Sequence, residues 1–313
     1  MDPRNVRDIR MNSINSVVFV IVAFRNPVDH LLQLSGALTK AARDVGYEAR
    51  VNLVVNDGTV VPSSNDVRVV DGHGNIGFAA GVAEGVRCSV EDYIVVVNPD
   101  CGIDYEEFRT FMEEVRPGRG ILMPMLHKPN GSFDYMPYEN WTYSIGRKVS
   151  ELLCRRLERR SGSTIPRYAK LSGAFLGMER ATAFELDLPF DRSYFLYAED
   201  RDMTDRARRI GVPLVLLRDV KITHAGGESG RTVSELVEKC KADGSLRVAY
   251  RRYGRLGAAL YDADLCLVDI AKRAFGKPSA VAAHRWSATR WRNAGYCDPG
   301  PLTEEILREK QMA

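Results

Sequence analysis

The chain lacks any Cys-x-x-Cys pair: its six cysteines, Cys88, Cys101, Cys154, Cys240, Cys266 and Cys297, are scattered along 313 residues. Neither a zinc site nor a disulfide framework is suggested, and reduced thiols in a cytoplasmic protein fit the pattern. No stretch approaches the ~20 apolar residues needed to span a bilayer, so membrane contact would have to be peripheral. The apolar run at 17–24 follows a mixed-charge leader and meets Arg25, Asn26 and Pro27 at once, with no small-residue cleavage site. It reads as a buried first strand rather than a secretory signal. Repeats and low-complexity tracts are missing. The net charge of +3 is too small to argue for a nucleic-acid partner.

What is there is an ordinary globular composition, 45% apolar and 27% charged, in a length that suits one catalytic domain with an appendage. The first hundred residues alternate β-branched runs with helical spacing. Strands are expected at 17–24, 49–55, 67–70 and 93–97, and helices at 28–45, closed near Gly46, and at 78–87. Val- and Ile-rich strands separated by helices indicate an α/β fold with a mostly parallel, Rossmann-like sheet covered on both faces. Ligands of such sheets bind at the carboxyl ends of the strands, where Arg25, Asp57, Asp71 and Asp100 fall. Residues 127–168, with a basic helix expected over about 147–160, read as a surface excursion over the site or an acceptor-side loop. After residue 230 the pattern turns helical and basic. The expected division is a catalytic domain at 1–230, with a nucleotide half at about 16–125 and an acceptor half at about 126–230, then a helical extension at 231–313.

The densest chemistry lies between residues 171 and 229. Glu199, Asp200 and Asp202 cluster at the start of a helix expected to run to Arg209 and stop at Gly211. Acids favour helix N-termini through capping and the macrodipole. That accounts for one or two of them, but not for the apolar approach Phe195-Leu196-Tyr197. Carboxylates crowded and partly buried there would raise one another's pKa, which suits a general base. His224 ends the strand-like run 220–223 ahead of two glycines, as a metal ligand or a satisfied structural histidine.

Upstream, Asn98-Pro99-Asp100 closes a strand, where a carboxylate could hold a divalent cation on a diphosphate or simply mark a turn. The glycines of residues 72–77 would let backbone approach a phosphate or sugar, or merely supply a flexible connection. Asp57 could accept a hydrogen bond from a pyrimidine or cap its own turn.

Together VVFVIVAFRNP, VVNDGT, NIGFAAG, VVVNPD, LSGAFLGMER, PFDRSYFLYAEDRDMTDRARRIG and ITHAGGES occur in one order across about residues 16–230. In this the chain resembles an inverting glycosyltransferase of family 2, with the GT-A fold, in its rhamnosyltransferase-like branch. The resemblance implies a nucleotide-sugar site formed by Arg25, Asp57, Asn75, Gly77, Asn98 and Asp100, with Asp57 on the base. It implies Mn2+ or Mg2+ on Asp100 and His224, Asp200 as catalytic base and Glu199 beside it. Asn98 stands where a strict Asp-x-Asp motif would have its first acid.

The implied donor is dTDP-rhamnose, with a UDP-sugar as the alternative, and the implied acceptor is a glycan or lipid-linked glycan of bacterial surface polysaccharide synthesis. A sugar-nucleotide-binding scaffold without catalysis is the non-enzymatic alternative. The basic, aromatic extension would suit the inner face of the plasma membrane, or would pack on the catalytic domain or on a second copy in a homodimer. Nucleic acid is not an expected partner.

Overall fold

The computed structural model describes residues 14–132, 143–144, 165, 169–226, 234–276 and 281–296. The basic helix expected over 147–160, with Cys154 and Cys297, lies outside them. Cys88, Cys101, Cys240 and Cys266 are free thiols.

The first strand, β1 (Ser16–Ala23), is buried almost throughout and is followed by α1 (Val28–Asp44) and β2 (Glu48–Val55). Next come β3 (Val67–Val70), α2 (Phe78–Arg87), β4 (Tyr93–Val97), the two-residue β5 (Cys101–Gly102), α3 (Tyr105–Glu113) and β6 (Ile121–His127). The second half supplies β7 (Phe175–Glu179), α4 (Arg180–Glu185), α5 (Glu199–Arg209) and β8 (Leu214–His224). Two helices close the described chain, α6 (Ser234–Ala274) and α7 (Val281–Asn293).

One eight-stranded sheet has the order β3-β2-β1-β4-β7-β6-β8-β5. Its first four strands are parallel, as the sequence predicts, because every connection there is a helical or long crossover. β7 then enters antiparallel between β4 and β6, β6 and β8 run parallel, and β5 caps the edge antiparallel to β8. The sheet is therefore mixed, with its parallel half where the β-branched runs stand. Side chains of alternating residues feed two cores. Val17, Phe19 and Ile21 meet α1 and α3, whereas Val18, Val20 and Val22 meet α2 and the β7-side elements. This alternation is the two-residue period of a strand covered on both faces.

The extension packs on this domain. Gly254, at φ 68°, breaks α6 into two helical stretches. The first stretch lies against the turn before α5, where a Cβ at Gly244 would stand 2.6 Å from the Tyr197 carbonyl oxygen. Arg251 pairs with Asp191 and Asp202, Arg252 pairs with Asp205, and the fully buried Arg247 bonds Asp243. Asp243 also accepts from Trp291 Nε1 at 2.6 Å, joining α7 to α6. The basic residues at 247, 251 and 252 thus face protein. No helix among the described residues is long and apolar enough to cross a membrane.

Candidate active site

A cavity of about 650 Å³ opens at the carboxyl ends of β1 and β4 and extends to α6 and α7. Its walls bring together Asn75, Gly77, Asn98, Asp100, Glu199, Asp200 and His224. Those residues come from motifs more than a hundred positions apart in the chain. Arg25 and Asp57 do not line it, although Phe24 and Asn56 beside them do. Asp71 is exposed and does not line it either.

Asp57 instead fastens two strand ends. Its carboxylate accepts from the backbone N–H of Arg25, which has φ 60°, and from that of Thr59 at 3.1 Å. Burial pushes Asp57 up, but these N–H groups outweigh it and hold the carboxyl below its ordinary value. Asn56, which sequence reasoning passed over, donates to the Gly77 carbonyl at 2.9 Å and leaves its own carbonyl oxygen buried without a partner.

The glycine-rich turn is built for close approach. Asn75 Oδ1 accepts from Gly77 N at 3.1 Å, forming a short side-chain turn. Gly77 sits at φ 85°, and a Cβ there would lie 2.4 Å from the Phe195 carbonyl oxygen. That carbonyl accepts from Phe78 N at 2.8 Å. The start of α2 is thereby clamped to the loop that leads into α5, so two distant motifs form one wall.

On the neighbouring wall, Asn98 N donates to Ala174 O at 2.7 Å, and the Pro99 carbonyl meets His30 Nε2 at 2.6 Å. The turn so fixed presents Asp100, whose Oδ1 lies 3.3 Å from His224 Nε2. Burial raises Asp100, but the hydrogen bond and charge of His224, with backbone N–H groups, hold it below the usual carboxylate range. Asn98 Oδ1 is buried and unpartnered at the same place. A carboxylate and an imidazole at this separation, with an uncommitted amide oxygen nearby, fit one hard divalent cation, the rest of whose shell must come from ligand oxygens or water. No group of three or more His, Cys, Asp and Glu able to hold a metal occurs among the described residues.

The acidic cluster divides into separate parts. The N-cap of α5 is Ala198, and no side chain caps the helix, so capping does not explain the acids. Asp202 is structural, bound by Arg206 at 2.7 Å and Arg251 at 2.9 Å. Asp200 accepts from Lys170 Nζ, and Lys170 and Asp200 both line the cavity. Lys170 is nearly buried and was not foreseen; its only sequence signal is a lysine set directly before the apolar entry to β7.

Glu199 is also buried, with Oε2 unpartnered. Burial first, and then the charge of Asp200, push its carboxyl up to about 8. The two residues before the acids, Tyr197 and Ala198, hold φ of 69° and 71°. Consecutive left-handed non-glycine residues persist only where surrounding structure fixes them, and such strain gathers at functional sites.

No protein-family model matches the chain, and no curated protein matches it in sequence. Among solved structures it is similar to the crystal structure of GalNAc-T7 with UDP, GalNAc and Mn2+, at 13% identity and a TM-score of 0.48. That likeness covers 67% of this chain and 43% of the other, so the chain spans less than half of the protein it matches. It is similar also to the crystal structure of S. aureus TarS 1-349, at 13% identity and a TM-score of 0.46, over 89% of this chain and 92% of that one. The chain's own residues therefore carry the functional reading.

Proposed function

We propose that the chain is an inverting glycosyltransferase that moves a sugar from a nucleoside-diphosphate sugar to a hydroxyl of a glycan or lipid-linked glycan. The observation supporting this most is the single cavity, at the carboxyl ends of parallel strands, that holds Asp100 with His224 and also Asp200 with Glu199. One pair suits a diphosphate and its cation, and the other suits proton removal. A protein that only bound a sugar nucleotide would have no use for the second pair.

In this reading Asn75, Gly77 and the backbone around them approach the donor, while Asn98 and Asp100 face its diphosphate. Asp57 and the Arg25 turn stand behind Phe24 and Asn56 and fix the base-binding end. Asp100 and His224 would hold Mg2+ or Mn2+, which when bound offsets charge developing on the leaving diphosphate. Asp200 takes the proton of the acceptor hydroxyl as that oxygen bonds to the anomeric carbon. The bond from that carbon to the diphosphate oxygen breaks on the opposite face, and the nucleoside diphosphate leaves. Glu199, neutral at pH 7 by its buried setting, serves as a hydrogen-bond donor to the sugar or acceptor. The donor we favour is dTDP-rhamnose, with a UDP-sugar as the alternative.

A binding and hydrolysis screen against dTDP-rhamnose, UDP-galactose, UDP-N-acetylglucosamine and GDP-mannose, with and without Mn2+, tests the reading. Metal-dependent selection of one donor is the expected result. Asp200→Asn should then lower turnover by about 10²–10⁴-fold while keeping donor affinity. Failure to bind any of the four would overturn it.

A further inference from the structure

The second stretch of α6 carries a face that no other described part of the protein covers. From Leu256 to Phe275 its exposed positions are Leu256, Ala259, Leu260, Ala263, Cys266, Leu267, Ile270, Ala271, Arg273, Ala274 and Phe275. All but Arg273 are apolar. Leu256, Leu260, Leu267 and Ile270 are each more than half exposed, and Phe275 is 79% exposed. Positions 256, 260, 263, 267, 270 and 274 are spaced alternately by four and three, which places them on one side of a helix about 30 Å long. Large apolar groups in such a continuous strip are not an ordinary soluble surface.

The exposed charges around this strip have one sign. Arg255 and Arg273 are exposed on α6, and Arg285 and Arg292 are exposed on α7. The Cys266 thiol on the strip feels Asp262 and Asp269, and also Arg285 and Arg292 from α7. The acids of this region are not among its exposed charges: Asp264 bonds Ser144, Asp269 is buried against His284, and Asp262 is partly buried. A second copy of the chain laid on this face would bring arginines to arginines, without the opposite charges that flank a helix–helix seam. An anionic lipid surface supplies both the apolar depth and the complementary charge.

We infer that the outer face of the second stretch of α6, with Arg255, Arg273, Arg285 and Arg292 around it, docks on an anionic membrane surface. The helix lies in the interface plane, with Leu256, Leu260, Leu267, Ile270 and Phe275 among the acyl chains. The inference is independent of the glycosyl-transfer reading. It also differs from a membrane role for the tail as a whole, since Arg247, Arg251 and Arg252 are committed to protein carboxylates.

Co-sedimentation of the full chain with phosphatidylglycerol-containing vesicles, compared with phosphatidylcholine vesicles, tests it without any sugar substrate. Binding is expected to the anionic vesicles and to weaken as salt is raised. The Leu260→Glu/Leu267→Glu double variant should lose about tenfold or more of the vesicle-bound fraction while keeping its circular dichroism spectrum. Should that variant fail to fold, Arg285→Ser/Arg292→Ser, altered only at exposed positions, should still bind less and lose salt sensitivity. Wild-type protein that stays in the supernatant with both vesicle types would overturn the inference. So would a stable dimer without vesicles that the leucine variant dissociates, because the face would then belong to a second copy.

Discussion

His224 Nε2 stands 3.3 Å from Asp100 Oδ1 because the short β5 pairs with the end of β8, setting Cys101 opposite His224. The pairing holds a carboxylate from the first half of the chain beside an imidazole from the second. If the two share a cation on a donor diphosphate, Asp100→Asn and His224→Ala should each weaken metal-dependent binding of a nucleoside diphosphate by about 10–100-fold or more. Calorimetric titration with and without Mn2+ reads this directly. Equal affinity with and without metal in the wild-type protein would make the pair purely structural.

Lys170 and Asp200 form an ion pair in which both side chains are largely shielded, at 7% and 13% exposure. Removing one member of a buried pair strands the other, at a cost of about 3–5 kcal/mol. Lys170→Met and Asp200→Asn should each lower stability on that scale in urea unfolding. The double variant should recover part of the loss, with a coupling energy of about 0.5–3 kcal/mol. Additive losses would show that the pair does not interact in solution.

Glu199 links the site to pH. Its carboxyl lies at about 8 in the folded protein against about 4.3 for an exposed glutamate. The folded state therefore binds its proton more tightly, and stability from this group is fully present below about 4.3 and is lost as pH rises through the folded value. Glu199→Gln removes that loss. Its melting temperature should exceed the wild type's at pH 8, and the advantage should shrink toward pH 5. A pH-independent difference would show that Glu199 is not held neutral.

Gly77 joins two conditions that a side chain cannot meet, a φ of 85° and a Cβ position 2.4 Å from the Phe195 carbonyl oxygen. Gly77→Ala must move the turn or the loop before α5, at a cost of roughly 1–3 kcal/mol. It should also lower donor affinity, since the Gly77 turn itself approaches the donor in the proposed reading. Gly74→Ala, also at positive φ but with open space around its Cβ position, is the comparison. It should cost stability through its backbone alone and leave donor affinity nearly unchanged.

Much of the parallel half of the sheet was legible in the sequence. The helix at 78–87 and the strand at 93–97 fall where spacing puts them, because buried strands and helices of this kind are dictated by local period and β-branching. The helix from Glu199 to Arg209 was equally plain, with its apolar lead-in and glycine stop. Strand ends gave the polar positions Asp57 and Asp100, since connections in such sheets turn at those ends. Spacing could not say which of these positions share a cavity. Asp57 turned to bind the Arg25 turn, whereas Asp100 faced His224.

Three decisions belonged to the tertiary structure alone. The antiparallel entry of β7 beside β4 carried Lys170 to Asp200, a pairing across 30 residues with no local pattern to announce it. The packing of α6 divided one basic segment into arginines bound to Asp191, Asp202, Asp205 and Asp243 and arginines left at the surface. Asp202 went to the structural arginines, while Glu199 and Asp200 one turn edge away went to the cavity. Composition and period fix which face of an element is apolar, because burial is a property of each residue. Which charge meets which depends on the distances that folding creates between residues far apart in the chain.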